Sequence, residues 1–232
     1  MASVKPFVVI ARRLEKSEEK KGKDITLLKD VGKYEVEQDQ CGAYCAMVPR
    51  EGDQTPITIF ESYDSKEYLL DDVKGHRSSK EYKKFKEIET KEQMLDKPTE
   101  IAFYATKFGF LQREDAPSVP LNDQFIWVAK LTAQPGKRDE MVEACRVHTE
   151  NVKRTEDETF TFLVLESTDN DVDILLFERY SSESYFKDVH STSDSMKEYR
   201  SKIGPILAKR DSAGFSAVAG FLDKRETIFR SA

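Results

Sequence analysis

Apolar and polar positions along the chain alternate with changing period, and the changes mark out elements. Phe7-Val8-Val9-Ile10-Ala11 is a short aliphatic run that fits a first strand over about 6–14. A helical stretch follows over about 22–39, where Ile25, Leu28 and Val31, or Leu27, Val31 and Tyr34, offer an apolar face interrupted by Gly32. Two further strands, about 42–48 and 56–63, flank the turn signal Pro49-Arg50-Glu51-Gly52-Asp53. A charged helical stretch in two pieces covers about 65–95, and a strand closes the series at about 100–107.

The same series then starts again. Strands at about 124–132, 159–166, 172–180 and 214–221 alternate with helical stretches at about 136–154 and 182–210. In the first of these helices Met141, Cys145, His148 and Val152 recur at spacings of 4, 3 and 4, so they share one face. Phe60-Glu61-Ser62-Tyr63 returns as Phe177-Glu178-Arg179-Tyr180 and Lys80-Glu81-Tyr82 as Lys197-Glu198-Tyr199, both displaced by 117 residues. Phe7–Arg12 answers Phe125–Lys130 at 118. The chain is therefore two copies of a β-α-β-β-α-β unit, an α+β fold of tandem ferredoxin-like repeats. The boundaries fall at 1–111 for the first domain, 112–123 for a Pro-containing linker and 124–232 for the second.

The inner strands are apolar on both faces: Ile57, Ile59 and Tyr63 alternate with Phe60, and Ile174, Leu176 and Tyr180 with Leu175 and Phe177. Helices cover one face of such a sheet, so the other must be buried as well. The expectation is that the two sheets face each other and enclose a barrel-like interior within one polypeptide.

Composition narrows the function classes. The 232 residues are 38% hydrophobic and 34% charged, with a net charge of −6. Neither half is basic, which argues against nucleic acid as a partner. No apolar run reaches the ~18 residues of a membrane span. Cys41, Cys45 and Cys145 are an odd number without a ligand pair at zinc spacing, so the expectation is a reducing, cytoplasmic setting and no metal. No phosphate loop, G-x-S-x-G elbow or paired metal histidines occur.

These pieces resemble the antibiotic biosynthesis monooxygenase family of the dimeric α+β barrel fold. The likeness rests on the aliphatic first strand, the Gly22-Lys23 and Gly136-Lys137 openings of the first helices, and the Phe-Glu-x-Tyr signature of the third strand in both copies. An acidic, aromatic helix with His and a Lys-rich helix with an aromatic residue follow each signature. The resemblance implies a fused pseudo-dimeric barrel, monomeric or paired again as a homodimer. It also implies a monooxygenase that oxidises a small hydrophobic substrate, a polyketide phenol or quinol or an oxylipin-type acid such as a jasmonate, in secondary metabolism. No cofactor is implied, and molecular oxygen is the co-substrate. The haem-degrading branch is disfavoured, since the first strands carry no Asn and the third strands carry Tyr63 and Tyr180 where that branch has Trp. Two rivals share the fold: a non-catalytic small-molecule-binding or stress-response protein, and a cofactorless isomerase, cyclase or decarboxylase.

Candidate chemistry follows from residue type and face. His148 sits in an apolar stripe, where burial would keep its imidazole neutral and basic. Glu61 and Glu178 lie in apolar strands that favour a protonated carboxyl, and Tyr63 and Tyr180 share their strand faces at i and i+2. His148, Glu178 and Tyr180 are the candidate catalytic residues; Trp127, Phe162, Tyr63, Glu61 and His190 are candidates for substrate binding. His76 and His190 fall in the acidic helices at unequal offsets, which suggests a rim position. Trp127 and His148 have no counterparts of their type in the first copy, and this makes the second copy the expected seat of activity.

Overall fold

The computed structural model describes residues 5–53, 55–113, 116–224 and 226–228. Strand β1 (Phe7–Leu14) leads into helix α1 (Glu18–Glu35), then β2 (Cys41–Pro49) and β3 (Pro56–Tyr63). Helices α2 (Lys66–Leu70) and α3 (Lys80–Lys91) precede β4 (Glu100–Phe110). The second series is β5 (Phe125–Ala133), α4 (Arg138–Thr155), β6 (Thr159–Ser167), β7 (Asp173–Tyr180), α5 (Glu183–Asp188), α6 (Asp194–Ile203) and β8 (Leu207–Asp223), and a short β9 (Glu226–Ile228) follows. The doubled β-α-β-β-α-β order is thus present. No helix among the described residues is long and apolar enough to cross a membrane.

Local chemistry explains where the elements begin. Helix α1 opens at Glu18 rather than at Gly22, because the side chain of Ser17 accepts from the Lys20 amide, and Glu18 and Glu19 occupy the first turn. Gly22 therefore lies inside α1, whereas Gly136, with φ +75, does precede α4. Ser65, Ser79, Ser182 and Ser193 cap α2, α3, α5 and α6 in the same way, so each acidic helical stretch breaks in two at a serine. The last strand of the second series starts at Leu207, earlier than its apolar residues suggest, since Lys209-Arg210-Asp211 pairs with β5 despite being exposed.

Contacts divide the chain into two compact units. One contains Ser3–Phe103 and the segment from Ser216 onward; the other contains Tyr104–Phe215. In the first unit β2 pairs with β3 and β3 with β1, all antiparallel, and the far part of β8 lies next to β2. In the second unit the order runs β4-β6-β7-β5-β8. β4 and β8 are therefore each shared between the units.

Each shared strand uses a glycine to come close to its neighbour. Gly220, at φ +100, lies against the Tyr44 carbonyl, and Gly109, at φ +125, against the Phe162 carbonyl. A Cβ at either position would stand 1.9 or 2.1 Å from that oxygen. β3 and β7 are buried along their whole length, as their two-sided apolar pattern requires. In the first unit Val9, Ala11, Tyr44, Ile59 and Tyr63 pack with Leu27, Leu28 and Val31 of α1; in the second Ala129, Leu131, Val164 and Leu176 pack with Met141, Cys145 and Val152 of α4.

Candidate functional site

The third strand of each repeat presents a carboxylate and a phenol on one face, and the structure joins them. The Tyr63 hydroxyl donates to Glu61 Oε2 at 2.8 Å, and Tyr180 donates to Glu178 Oε2 at 2.5 Å. The i, i+2 spacing of the strand makes these bonds possible. All four residues are buried.

A histidine completes each pair. His76 and His190 each begin a single 3-10 turn just before the second helical piece, and both are buried rather than at a rim. His76 Nδ1 lies 3.0 Å from Glu35 Oε1 and 3.2 Å from the Tyr63 hydroxyl oxygen. His190 Nδ1 lies 2.8 Å from Glu156 Oε2, and its Nε2 faces Glu178 Oε2 at 3.8 Å. Both contacts are made by the same ring nitrogen, which Glu35 and the Tyr63 hydroxyl therefore share. The result in the first repeat is a buried chain Glu35–His76–Tyr63–Glu61.

Glu35 and Glu156 are the residues that sequence reasoning missed. Glu35 ends α1 and Glu156 follows the last residue of α4. A carboxylate at a helix C-terminus meets the negative end of the dipole, and burial adds to the cost. The histidine facing each one compensates. Their displacement of 121 residues differs by 4 from the common one, about one helical turn, so the carboxylate returns to the same face.

Burial pushes the pKa of Glu61 up, against the opposing pull of His76 and the Tyr63 hydrogen bond. Glu178 is raised for the same reason, with His190 and Tyr180 pulling it down. Burial and the neighbouring glutamates raise Tyr63 and Tyr180, so both phenols keep their protons and act as donors.

The two repeats differ in the space beside these clusters. In the first repeat Glu61 and His76 open onto a cavity of about 110 Å³, walled by apolar side chains such as Val9, Leu28, Ile59 and Leu69, with Tyr82 and Arg77 among the polar groups. That volume approaches what a single aromatic ring needs. In the second repeat Glu178 and His190 face about 20 Å³, enough for a water molecule. The register shows why. Val9 stands opposite Glu61, and Trp127 stands opposite Glu178. Trp127 packs on Phe186 with ring centroids 4.7 Å apart, and the Arg210 guanidinium lies 5.9 Å from the indole. Trp127 lines the small cavity together with Phe186, on which it packs.

The remaining candidates lie elsewhere. His148 Nδ1 is 2.8 Å from the Ser195 hydroxyl, and its ring stacks on Tyr199 at 4.7 Å, between α4 and α6. It does not line the cavity of its repeat. Burial, with His190 and Arg200, lowers its pKa to about 3, so it stays neutral. Phe162 is part of the packed core and meets the edge of His148. His190 lines the small cavity and is held there by Glu156.

The wall of the first cavity holds a second polar device. Arg13 bonds Asp24 through Nε and Nη2 at 2.8 and 3.0 Å and pairs with Glu89 at 2.6 Å. Its counterpart by register in the second repeat is Leu131. The charge of Arg13 is therefore fully engaged by its own repeat.

Residues 124–202 match the model of the family described as antibiotic biosynthesis monooxygenase. Among solved structures, a candidate monooxygenase of Fusobacterium nucleatum superposes with a TM-score of 0.77 at 17% identity, covering 94% of both chains. A candidate monooxygenase of Lactobacillus acidophilus gives 0.76 at 11% identity, covering 94% of this chain and 98% of that one. An anthrone oxidase-like protein gives 0.61 at 12%, covering 93% and 92%. At these identities the likeness is one of fold. No curated protein matches the chain.

Proposed function

We propose that this chain, whose residues 124–202 match the antibiotic biosynthesis monooxygenase family, is a monooxygenase that works from its first repeat without metal or organic cofactor. The observation that carries this reading is the apolar cavity of about 110 Å³ onto which Glu61 and His76 of the buried Glu35–His76–Tyr63–Glu61 chain open. An apolar pocket with a few convergent polar groups and a perturbed carboxyl is the usual form of a small-molecule site.

The residues suit proton abstraction from a weakly acidic substrate. Glu61 Oε2 is held by Tyr63, which leaves Oε1 to take a proton from a phenol or an activated methylene. A carboxylate with a raised pKa is the stronger base. His76 and Glu35 fix Tyr63 from behind and share the charge change along the hydrogen-bonded chain. The substrate anion then passes an electron to molecular oxygen and recombines with it to a peroxide, which recovers the proton. Loss of water from the peroxide leaves a carbonyl. The balance is a methylene group and a molecule of oxygen giving a carbonyl group and a molecule of water. The substrate supplies the electrons, and the protein supplies the base, the donors and the dry cavity.

Small phenols, quinols and compact enolisable acids are the substrates that a cavity of this size and lining favours. Any place in secondary metabolism would run through such one-ring or similarly compact molecules. The test is oxygen uptake by the purified protein over a panel of these compounds, with Glu61→Gln as the control. Uptake that depends on Glu61 supports the reading, and a protein that binds panel members without consuming oxygen would return it to the binding or isomerase alternatives.

A further inference from the structure

One cation on the wall of the first cavity has a buried donor that nothing accepts from among the described residues. Arg77 follows His76 in the 3-10 turn and lines the cavity. Its Nε is buried, out of contact with solvent and without a hydrogen-bond acceptor among the described residues, so a ligand in the cavity engages it once the side chain turns its fork inward. The other cations there are engaged: Arg13 by Asp24 and Glu89, and Lys86 by Glu89. Glu61 and Tyr82 both feel the charge of Arg77, yet one oxygen of Glu61 is already committed to Tyr63. A half-buried guanidinium with an unmatched buried donor is an unfavourable arrangement unless an acceptor arrives from outside. The second repeat, with its filled cavity, carries Ser191 at this place. The unmatched cation and the open cavity therefore occur together.

We propose that Arg77 is the anion-recognising residue of the first-repeat cavity and that the ligand is a small hydrophobic carboxylate. Its apolar frame lies against Val9, Leu28, Ile59 and Leu69, and its carboxylate meets the planar fork of Arg77. A carboxylate matches a guanidinium with two parallel N–H···O bonds. A phosphate fits less well, since a dianion would lie close to Glu61 and the other cations of the wall, Arg13 and Lys86, are already paired. This rests on the first-repeat cavity being the working site and adds the class of molecule it selects.

The test is calorimetric titration with benzoate and with benzamide, its neutral isostere, against the wild-type chain, Arg77→Gln and Arg77→Lys. The wild type binds benzoate at least about tenfold more tightly than benzamide. Arg77→Gln abolishes that preference by weakening benzoate, while benzamide, whose carbonyl loses at most one neutral hydrogen bond, still binds within about fivefold of the wild type, which shows that the cavity itself survives. Arg77→Lys keeps part of the preference, because a point charge replaces the fork. Equal affinity for the two probes, a preference that persists in Arg77→Gln, or no binding of either at millimolar concentration overturns the proposal. Preference for benzoate without oxygen uptake by any compound would uphold Arg77 and sink the monooxygenase reading. Oxygen uptake from neutral phenols that is indifferent to Arg77 would do the reverse.

Discussion

Val9 and Trp127 occupy the same place in the two repeats: Val9 faces Glu61 across β1 and β3, and Trp127 faces Glu178 across β5 and β7. The exchange of a small side chain for the largest one, together with that of Leu69 for Phe186, separates the two cavities. The acid–base cluster is kept on both sides, while the room to use it is kept on one.

Glu61→Gln is expected to lower oxygen uptake at least about 100-fold, the usual scale for loss of a general base. Glu178→Gln, combined with His148→Ala, is expected to leave turnover within about twofold of the wild type. Steady-state rates for both variants check this, and the opposite asymmetry would place the working site in the second repeat.

Trp127→Val should reopen the second cavity. The change removes a half-buried indole packed on Phe186, so a loss of about 2 kcal/mol is expected, below the range for a fully buried tryptophan. Urea denaturation measures it. Val9→Trp should be the functional converse, filling the first cavity and abolishing benzoate binding.

Activity should show an acid limb above the ordinary carboxylate range. Glu61 must be ionised to act, and burial raises its pKa, so the rate climbs with pH through that raised value. His148, neutral down to about 3, does not contribute, and His148→Gln should leave the limb where it is. A pH–rate profile of kcat/KM for wild type and variant decides the point.

Glu15 makes a separate statement about stability. Burial and the neighbouring Asp24 push its carboxyl up to about 8, more than Arg13 pulls it down. The folded state therefore holds a proton that the unfolded state gives up near 4.5. This contribution is fully present below about 4.5 and is lost as pH rises through about 8. Glu15→Gln should flatten the fall in stability across that window. Denaturation midpoints at several pH values test it, and parallel curves for the two proteins would contradict it.

Three glycines should respond in opposite directions to alanine. Gly220→Ala and Gly109→Ala place a Cβ on a carbonyl oxygen at positive φ, and each should cost about 3 kcal/mol or more. Gly22 lies inside α1 with open space around it, and Gly22→Ala should stabilise by about 0.5–1 kcal/mol. Thermal melts of the three variants make the comparison.

The repeat, the element order and the Glu–Tyr pairs were legible because constant spacing and strand alternation are direct records of geometry. The histidines and helix-end glutamates were not, because insertions break the spacing. His76 and His190 are displaced by 114 residues, since the first repeat holds three extra residues before its 3-10 turn. Glu35 and Glu156 are displaced by one helical turn beyond the common offset. Comparing helix faces rather than residue counts would have found them. The sequence marked Trp127 and His148 as unusual, but their meaning depended on volume. A large side chain beside a carboxylate can line a site or close it, and only packing decides.

The division of β8 also bears on how the molecule is made. The first unit includes the segment from Ser216 onward, beside β2, where Gly220 approaches Tyr44. A ribosome delivers that segment only after the whole of the second unit. The half of the chain that emerges first must therefore wait, with one strand position unfilled, until the residues from 216 onward have been added. The cavity on which the proposed chemistry depends lies in this late-completed half, so a premature stop before residue 216 would silence it even with every wall residue in place.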